Sequence, residues 1–327
     1  MRLDQILTRQ VITSNSHRGR RAAAWPRVAA VLAVALAAGL AVPATSATAA
    51  TGSTRASRTG VGAAASNKTP LVVIVMESGR YKGIVGNSLA PFINGTMIAH
   101  GLLATNYFAV PASLRDYLLM TSGRTLPPAS AANLFARLGH APTWREFMES
   151  MPRPCYTGRG FHKVPGTNAA LYARTHNPAI HFSSITNTSM CTRVVPLVPK
   201  RFHPGSLPRL SFVVPNECND MHTMPVNHSC PMWNGHTNHA DTELAMGDKW
   251  LASFVPLVAK RATVVVTWDE ANKKDEQVPT ILYGVGVKHG TIGALLHHTS
   301  LEAGLYRYFG LGRAPGAGAT ATPLIIP

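Results

Sequence analysis

The sequence predicts an α/β fold with a largely parallel central sheet flanked by helices on both faces. Four short apolar runs rich in β-branched residues have the continuous hydrophobicity of strands that are covered on both sides. Helix-like segments lie between these runs, and an alternation of strands and helices is typical of a parallel sheet. The chain has 327 residues, of which 46% are apolar, so it can bury the sizeable core that such a fold needs.

The individual elements follow from their residue patterns. The predicted strands are LVVIVM (71–76), LSFVV (210–214), TVVVTW (263–268) and TILYGV (280–285). The predicted helical segments are APFINGTMIAHG (90–101), TWREFMES (143–150) and DTELAMGDKWLASFVPLVAK (241–260). A terminal glycine typical of helix C-termini indicates the first of these, and amphipathic spacing indicates the other two.

Residues 1–49 have the organisation of a secretory signal peptide. A basic region ends at Arg27, an apolar run covers 28–42, and Ala-Thr-Ala at 47–49 fits a cleavage site of small residues. The apolar run is short for a membrane span, although an uncleaved N-terminal anchor is the alternative. We therefore divide the chain into a signal peptide (1–49), a disordered lead-in rich in small residues (50–68) and a single domain (69–327). The predicted location is extracellular.

The cysteine content agrees with export. Four cysteines follow the predicted cleavage site, at positions 155, 191, 218 and 230. An even number in an exported protein predicts two disulfides, for which three pairings exist. We favour Cys155–Cys191 with Cys218–Cys230, because these local closures require the least rearrangement of the chain.

The charge of the chain indicates anionic partners. Residues 1–49 contain six basic residues and one acid, a contribution of +5, which leaves +11 of the total net charge of +16 for the rest. A basic surface favours phosphate esters and anionic lipid surfaces. The sequence has no zinc-finger pattern, recognition helix or aromatic platform, so it predicts no specific nucleic-acid binding. It implies no protein partner.

Polar side chains follow three of the predicted strands. Glu77 follows the first strand, Asp220 and His222 follow the second, and Asp269-Glu270 follow the third. Because ligands bind at the carboxyl ends of parallel strands, we expect these side chains to converge. Two carboxylates at the end of a buried strand repel each other unless a cation holds them. The pattern predicts one divalent metal ion (Mg²⁺, Mn²⁺, Ca²⁺ or Zn²⁺), with a solvated turn as the alternative for the acidic pair.

Ser113 is the candidate nucleophile. It begins the helical pattern of PASLRDYLLMTSG (111–123), with Asp116 three positions later. The simpler interpretation is that Ser113 caps the helix and Asp116 completes a variant of the capping box. The two interpretations are compatible, because a hydroxyl at a helix N-terminus lies beside free amide donors that also suit a phosphoryl group.

These stretches together resemble a known family. In family order, over about residues 70–313, the matching stretches are VVIVMES, ASLRDYLLMTSG, WREFMESMP, YARTHNPAIHF, SFVVPNECNDMH, GDKWLASFVPLV, VVVTWDEAN, VPTILYGVGVKHG and HHTSLEAGLYRYFGL. They resemble secreted phosphoesterases that include bacterial acid phosphatases and phospholipase C enzymes, within the alkaline-phosphatase-like superfamily. The resemblance implies an alkaline-phosphatase-like fold and metal-assisted phosphoryl transfer.

The resemblance also implies roles for individual residues. Glu77, Asp269 and Glu270 would bind the metal, and Ser113 would be the nucleophile. His222 and His298 would contact the phosphate or protonate the leaving group. His176 is interpreted as a packing residue beside the site.

Two positions depart from the family pattern and touch the expected site. Ser78 stands where the family usually has Asn, and Asp116 stands where it also usually has Asn. Ser78, Asp116 and Asp220 are further candidate contacts to metal or phosphate.

The resulting prediction is a secreted, metal-dependent phosphomonoesterase of the acid phosphatase type with a serine nucleophile. Its expected substrates are phosphoinositides or other phosphate monoesters. One alternative is a phosphodiesterase of the phospholipase C type. Another is a degenerate member that binds anionic phosphate ligands without turnover, which the changes at Ser78 and Asp116 favour.

Overall fold

The computed structural model describes residues 69–139, 143–163, 170–199, 202–222, 230, 239–271 and 276–327. The predicted signal peptide and lead-in therefore lie outside the described residues. Among the helices that the described residues form, none has both the length and the apolarity to cross a membrane.

Twelve strands are present in the described residues. They are β1 (Leu71–Met76), β2 (Leu102–Ala104), β3 (Tyr107–Phe108), β4 (Trp144–Glu149), β5 (Gly160–Lys163), β6 (Ala170–Ala173), β7 (Val194–Leu197), β8 (Leu210–Val214), β9 (Thr263–Trp268), β10 (Thr280–Gly284), β11 (Gly290–Ile292) and β12 (Leu296–His297).

The α-helices are α1 (Tyr81–Ile84), α2 (Ser113–Ser122), α3 (Leu134–Leu138), α4 (Ser183–Thr186), α5 (His239–Ala259) and α6 (His298–Phe309). A π-helical segment covers Ile93–Ile98, within the helix that the sequence predicts over 90–101. Short 3-10 segments cover Arg174–His176, Ala179–His181, Ser189–Arg193, Pro204–Ser206 and Gly316–Ala319.

Eight strands form one sheet in the order β11-β2-β10-β9-β1-β8-β4-β7. The three central predicted strands, β1, β8 and β9, are parallel and fully buried, which explains their unbroken apolar sequences. The predicted α/β class with a largely parallel sheet is confirmed.

The strand β10 corrects one detail of the prediction. It is antiparallel to both of its neighbours, β9 and β2. The chain returns from β9 to β10 through the eleven residues 269–279. A parallel neighbour needs a crossover of a dozen or more residues, usually helical, so this short return favours the antiparallel direction.

The segment 143–150 is the second correction, because it contains a strand and no helix. As β4 it pairs in parallel with β8 on one side and with β7 on the other. Trp144 is fully buried and Arg145 is exposed, as expected for side chains on opposite faces of a strand. The alternation of apolar and charged residues in this six-residue segment fits both the period of a helix and the period of a strand. The segment forms a strand because its backbone pairs with the two neighbouring strands.

The helices form two groups beside the sheet. The helices α2, α3 and α6 pack against one another, whereas α5 packs against β9, β10 and the π-helical segment. The disulfides Cys155–Cys191 and Cys218–Cys230 are both formed, which confirms the favoured pairing.

Candidate active site

The register of the sheet brings the first two candidate ligands together. Met76 at the end of β1 lies opposite Trp268 at the end of β9. Because the strands are parallel, the next residues of the two strands, Glu77 and Asp269, emerge side by side at the same edge. The amide of Glu77 also donates to the Asp220 carbonyl oxygen at 2.7 Å, which ties in the loop that follows β8.

Glu77 and Asp269 are fully buried and share a carboxylate cluster with His176. Each of the three residues offers a ligand atom, and these atoms lie within 4.8 Å of one another. Asp269 Oδ2 is buried and has no hydrogen-bond partner. Burial and the neighbouring charge of Glu77 raise the pKa of Asp269 well above its usual range. A cation would give Asp269 Oδ2 a partner and would offset the repulsion between the two carboxylates. The donor set therefore fits a divalent metal ion.

His176 belongs to this cluster, where it offers a ligand atom in addition to the packing role expected from the sequence. Its Nε2 lies 3.0 Å from Glu77 Oε2, and the Tyr117 ring of α2 stacks on its imidazole at a centroid distance of 5.5 Å. Burial lowers the pKa of His176, but the charges of Glu77 and Glu217 outweigh burial and raise it to about 9. The same positive charge holds the pKa of Glu77 well below its usual value in spite of burial.

The loop after β8 supplies a second group of acidic and basic side chains. His176, Glu217 and Asp220 form another buried set whose ligand atoms lie within 4.8 Å of one another. His222 reaches both groups, with Nδ1 3.4 Å from Glu77 and Nε2 3.4 Å from Glu217. Its side chain is 35% exposed, so it borders solvent whereas the other members of the cluster are buried.

Ser113 lies directly beside the cluster. Its hydroxyl donates to Glu77 Oε1 at 2.8 Å. It is the first residue of α2, whose N-cap is Ala112, so the hydroxyl does not cap the helix. Burial raises the pKa of Glu270, and the backbone of Ser113 acts against this effect. Of the two residues that follow Trp268, Asp269 is buried inside the cluster and Glu270 is partly exposed.

Asp116 holds the loop that leads into α2. Its carboxylate accepts hydrogen bonds from the amides of Val110 (2.9 Å) and Ala112 (3.4 Å). The bond to the N-cap residue Ala112 is the contact expected of Asp116 in a variant of the capping box. Burial raises the pKa of Asp116 to about 8, against the lowering effect of these two hydrogen bonds. Asp116 Oδ1 also lies 3.3 Å from His298 Nε2.

His298 lies behind the carboxylate cluster with both ring nitrogens engaged. Nε2 is 2.6 Å from the Asp269 carbonyl oxygen, and Nδ1 is 3.0 Å from the Tyr107 hydroxyl. Burial lowers the pKa of His298 to about 4, which favours the neutral ring. Since a carbonyl oxygen can only accept, Nε2 carries the hydrogen and Nδ1 accepts from Tyr107. In this arrangement His298 fixes the backbone of Asp269.

Two residues at the edge of the cluster have a positive φ that non-glycine residues rarely adopt. Ser78 has a φ of 50°, and its amide lies 3.4 Å from Asp269 Oδ1. Met221, between Asp220 and His222, has a φ of 76°. Such conformations persist where the surrounding structure enforces them, and they concentrate at functional sites.

The sequence contained partial signals for the two members that were missed. His176 lies in YARTHNPAIHF, a stretch on which the family resemblance already rested. Glu217 lies in the same loop as Asp220 and His222, in the segment PNECNDMH. His176 follows no predicted strand, so the rule about strand ends did not select it. Glu217 follows β8 in the same loop as Asp220 and His222, and the rule could have selected it.

Comparison with known proteins identifies the family. The model of the Phosphoesterase family matches residues 15–312. The chain belongs to this family. The enzyme class expected from the sequence, a phosphoric ester hydrolase, is thereby confirmed.

Relatives of this phosphoesterase include a phosphatidylinositol-3-phosphatase of Mycobacterium tuberculosis. It is 30% identical over 286 residues, which cover 82% of this chain and 85% of the relative. A phosphate-repressible acid phosphatase of Penicillium chrysogenum is 27% identical over 64% of this chain. The matched region spans 52% of that fungal protein, about half of its length.

Solved structures resemble the phosphoesterase in fold. One, described under the metabolism of multiple glycosaminoglycans by Bacteroides thetaiotaomicron, has a TM-score of 0.50 at 11% identity and covers 79% of this chain and 80% of its own. A protein in the alkaline phosphatase superfamily from Vibrio parahaemolyticus has a TM-score of 0.48 at 12% identity, over 79% of this chain and 70% of its own. At these identities the likeness concerns the fold alone.

Proposed function

We propose that this phosphoesterase is a metal-dependent phosphomonoesterase of the acid phosphatase type that uses Ser113 as its nucleophile. The observation that carries the proposal is the 2.8 Å contact between the Ser113 hydroxyl and Glu77, at the edge of the buried carboxylate cluster. A hydroxyl in this position is next to both the candidate metal ligands and the positive end of the α2 helix dipole.

The candidate metal ligands are Glu77 and Asp269, with His176 as an added ligand and Glu270 at the rim. A divalent ion held there would lower the pKa of the Ser113 hydroxyl and screen the charge of the phosphoryl group. The uncompensated oxygen of Asp269 and the mutual repulsion of the carboxylates support this assignment.

The positions of the side chains support the following reaction. Ser113 Oγ attacks phosphorus, its proton leaves to solvent, and the bond from phosphorus to the alcohol oxygen breaks. His222, at the solvent edge of the cluster, gives that oxygen a proton. Water then attacks the phosphoserine, phosphate leaves, and Ser113 regains a proton.

The relatives guide the choice of substrate and location. Similarity to a phosphatidylinositol-3-phosphatase supports phosphoinositide headgroups among the substrates, and the similar acid phosphatases support a preference for monoesters. The two disulfides support action in an oxidising compartment, in agreement with secretion of a single domain over 69–327 after cleavage near residue 49.

The test measures release of phosphate from 4-nitrophenyl phosphate by the full chain, before and after chelation and with each of Mg²⁺, Mn²⁺, Ca²⁺ and Zn²⁺ restored. We expect activity to require one of these ions. We expect Ser113→Ala to reduce turnover by several orders of magnitude, because it removes a covalent nucleophile. The matched control is Ser122→Ala, in which the lost hydroxyl only donates to the Leu118 carbonyl of the same helix.

Four results would each contradict a different part of the proposal. Near-normal turnover by Ser113→Ala would refute the nucleophile, and full activity after chelation would refute the metal. Faster hydrolysis of bis(4-nitrophenyl) phosphate would replace the monoesterase by a diesterase. Tight phosphate-ester binding with no product under any metal would identify a member that binds without turnover.

A further inference from the structure

A cavity of about 270 Å³ opens beside the carboxylate cluster. One of its walls comes from Ser78, which directly follows Glu77, and another from Met221, which lies between Asp220 and His222. The walls thus share backbone with the candidate metal and proton-transfer residues.

The walls next to the cluster are held in fixed positions. The Trp268 indole donates to Met221 Sδ at 3.3 Å, and the Ser78 amide faces Asp269 at 3.4 Å. Gly79 packs so closely on the Trp268 ring that a Cβ there would overlap it. These contacts fix the side of the cavity that is formed by Ser78, Gly79 and Met221.

The remaining lining combines charges of both signs with apolar surface. Arg80 supplies a guanidinium group, and Asp241 and Glu243 at the start of α5 supply carboxylates. Ile84 and Leu244 supply apolar surface. A hydroxyl group donates to a carboxylate and accepts from a guanidinium, whereas the C–H faces of a ring pack against apolar side chains. The volume is just below the range of about 300–1000 Å³ that suits drug-sized ligands, so it favours one ring over a pair of acyl chains.

We infer that this cavity binds the alcohol part of the substrate and selects phosphate monoesters of polyhydroxylated rings, such as sugars or cyclitols. The inference rests on the proposed function, because it assigns the leaving-group side of the same site. Two kinds of molecule carry such a phosphorylated ring: a soluble sugar or cyclitol phosphate, and a phosphoinositide headgroup.

The test compares two substrates whose rings have the same size and differ in their hydroxyl groups. The kcat/KM of the full chain with its activating metal is measured for inositol phosphate and for cyclohexyl phosphate. We expect a preference of at least about tenfold for inositol phosphate, the effect of one hydrogen bond to a charged group. A ratio near one would overturn the inference.

Substitutions in the lining tie the preference to the cavity. Arg80→Gln and Asp241→Asn should each reduce the ratio of the two kcat/KM values by about tenfold. The matched control is Arg261→Gln, an exposed arginine just before β9 and so at the opposite end of the sheet. A ratio that falls in the control as much as in the two lining variants would also overturn the inference.

Gly83→Leu fills the cavity without disturbing the walls. A Cβ at Gly83 meets only the Arg80 Cβ, at 3.9 Å, so the larger side chain has room. We expect the kcat/KM for inositol phosphate to fall at least about tenfold relative to methyl phosphate, which has no ring to exclude. An unaltered ratio would show that the ring lies elsewhere.

The outcomes separate this inference from the proposed function. Absence of turnover of every ester with every metal would contradict the proposed function. In that case, calorimetry with inositol phosphate and cyclohexyl phosphate decides the inference, since equal binding of both would overturn it. An assay of vesicles that carry phosphatidylinositol 3-phosphate, beside one of soluble inositol phosphate, shows whether the ring comes from a lipid headgroup or from a soluble ester. Faster hydrolysis of either substrate than of cyclohexyl phosphate supports the inference.

Discussion

Glu302 provides a test of the structure that is independent of the reaction. This residue of α6 is fully buried, and neither of its carboxylate oxygens has a hydrogen-bond partner. Its carboxylate lies against the backbone of Gly123 and Gly318. Burial raises the pKa of Glu302 from 4.5 to about 9, so the folded chain keeps this carboxyl protonated at neutral pH.

The shift has a definite sign in the stability of the protein. Between the pKa of the unfolded chain and that of the folded chain, only the folded state binds the proton. The free energy of unfolding therefore falls as the pH rises through this interval. Each pH unit above 4.5 costs about 1.4 kcal/mol, so the cost reaches about 3 kcal/mol at pH 7 and about 1 kcal/mol at pH 5.

Glu302→Gln removes this cost because the amide never ionises. We expect the variant to unfold at a higher temperature than the parent at pH 7, by about 6–12 °C, and by much less at pH 5. Thermal and urea unfolding across pH 4.5–8 measure the difference. Glu276→Gln, at an exposed position, is the control and should give no such slope. Equal stability of Glu302→Gln and the parent at both pH values would refute the burial argument.

Two further predictions concern the scaffold of the candidate site. Gly79→Ala should destabilise the protein by about 1–3 kcal/mol and weaken metal-dependent activity, because a Cβ there would overlap the Trp268 ring. Urea unfolding measures this, with Gly95→Ala, where a Cβ meets no atom within 4 Å, as the control. Loss of Cys155–Cys191, which closes 36 residues, should cost about 4 kcal/mol, against about 3 kcal/mol for Cys218–Cys230, which closes 12. Serine substitution of Cys218 and Cys230 should nevertheless reduce activity more, because Cys218 follows Glu217 in the loop that carries Asp220 and His222. Equal activity of the two double variants would contradict that link.

The strands that the sequence identifies best are the ones buried on both faces. The structure has β1, β8 and β9 at the predicted residues, since a continuous β-branched run is favourable only where both faces are covered. The segment 143–150 could not be assigned in the same way, because its six-residue pattern fits a helix as well as a strand. Its pairing with β7 and β8, both distant in sequence, decided the matter.

The residues of the candidate site also differ in how far the sequence could predict them. Glu77 and Asp269 are predictable because each directly follows a buried strand, and parallel register then places them side by side. His176 is not predictable by this rule, since a 3-10 turn carries it into the cluster. Glu217 lies in the loop after β8 that also holds Asp220 and His222, but nothing in the sequence distinguishes which acids of that loop enter the cluster. The orientation of His298 toward the Asp269 carbonyl depends on how α6 packs, which no local pattern records.

By itself, the sequence determined the fold class and the ends of the strands where the acids gather, because hydrophobic period encodes these features. The family followed from the resemblance of its motifs, and the sequence favoured one disulfide pairing among three. Only the tertiary structure decided which loop residues complete the cluster, which side chain of the acidic pair lies inside it, and that a cavity lined by charged and apolar side chains lies near it. The physical reason is that these features depend on contacts between segments about 40–190 residues apart, which form only when the sheet has brought them together.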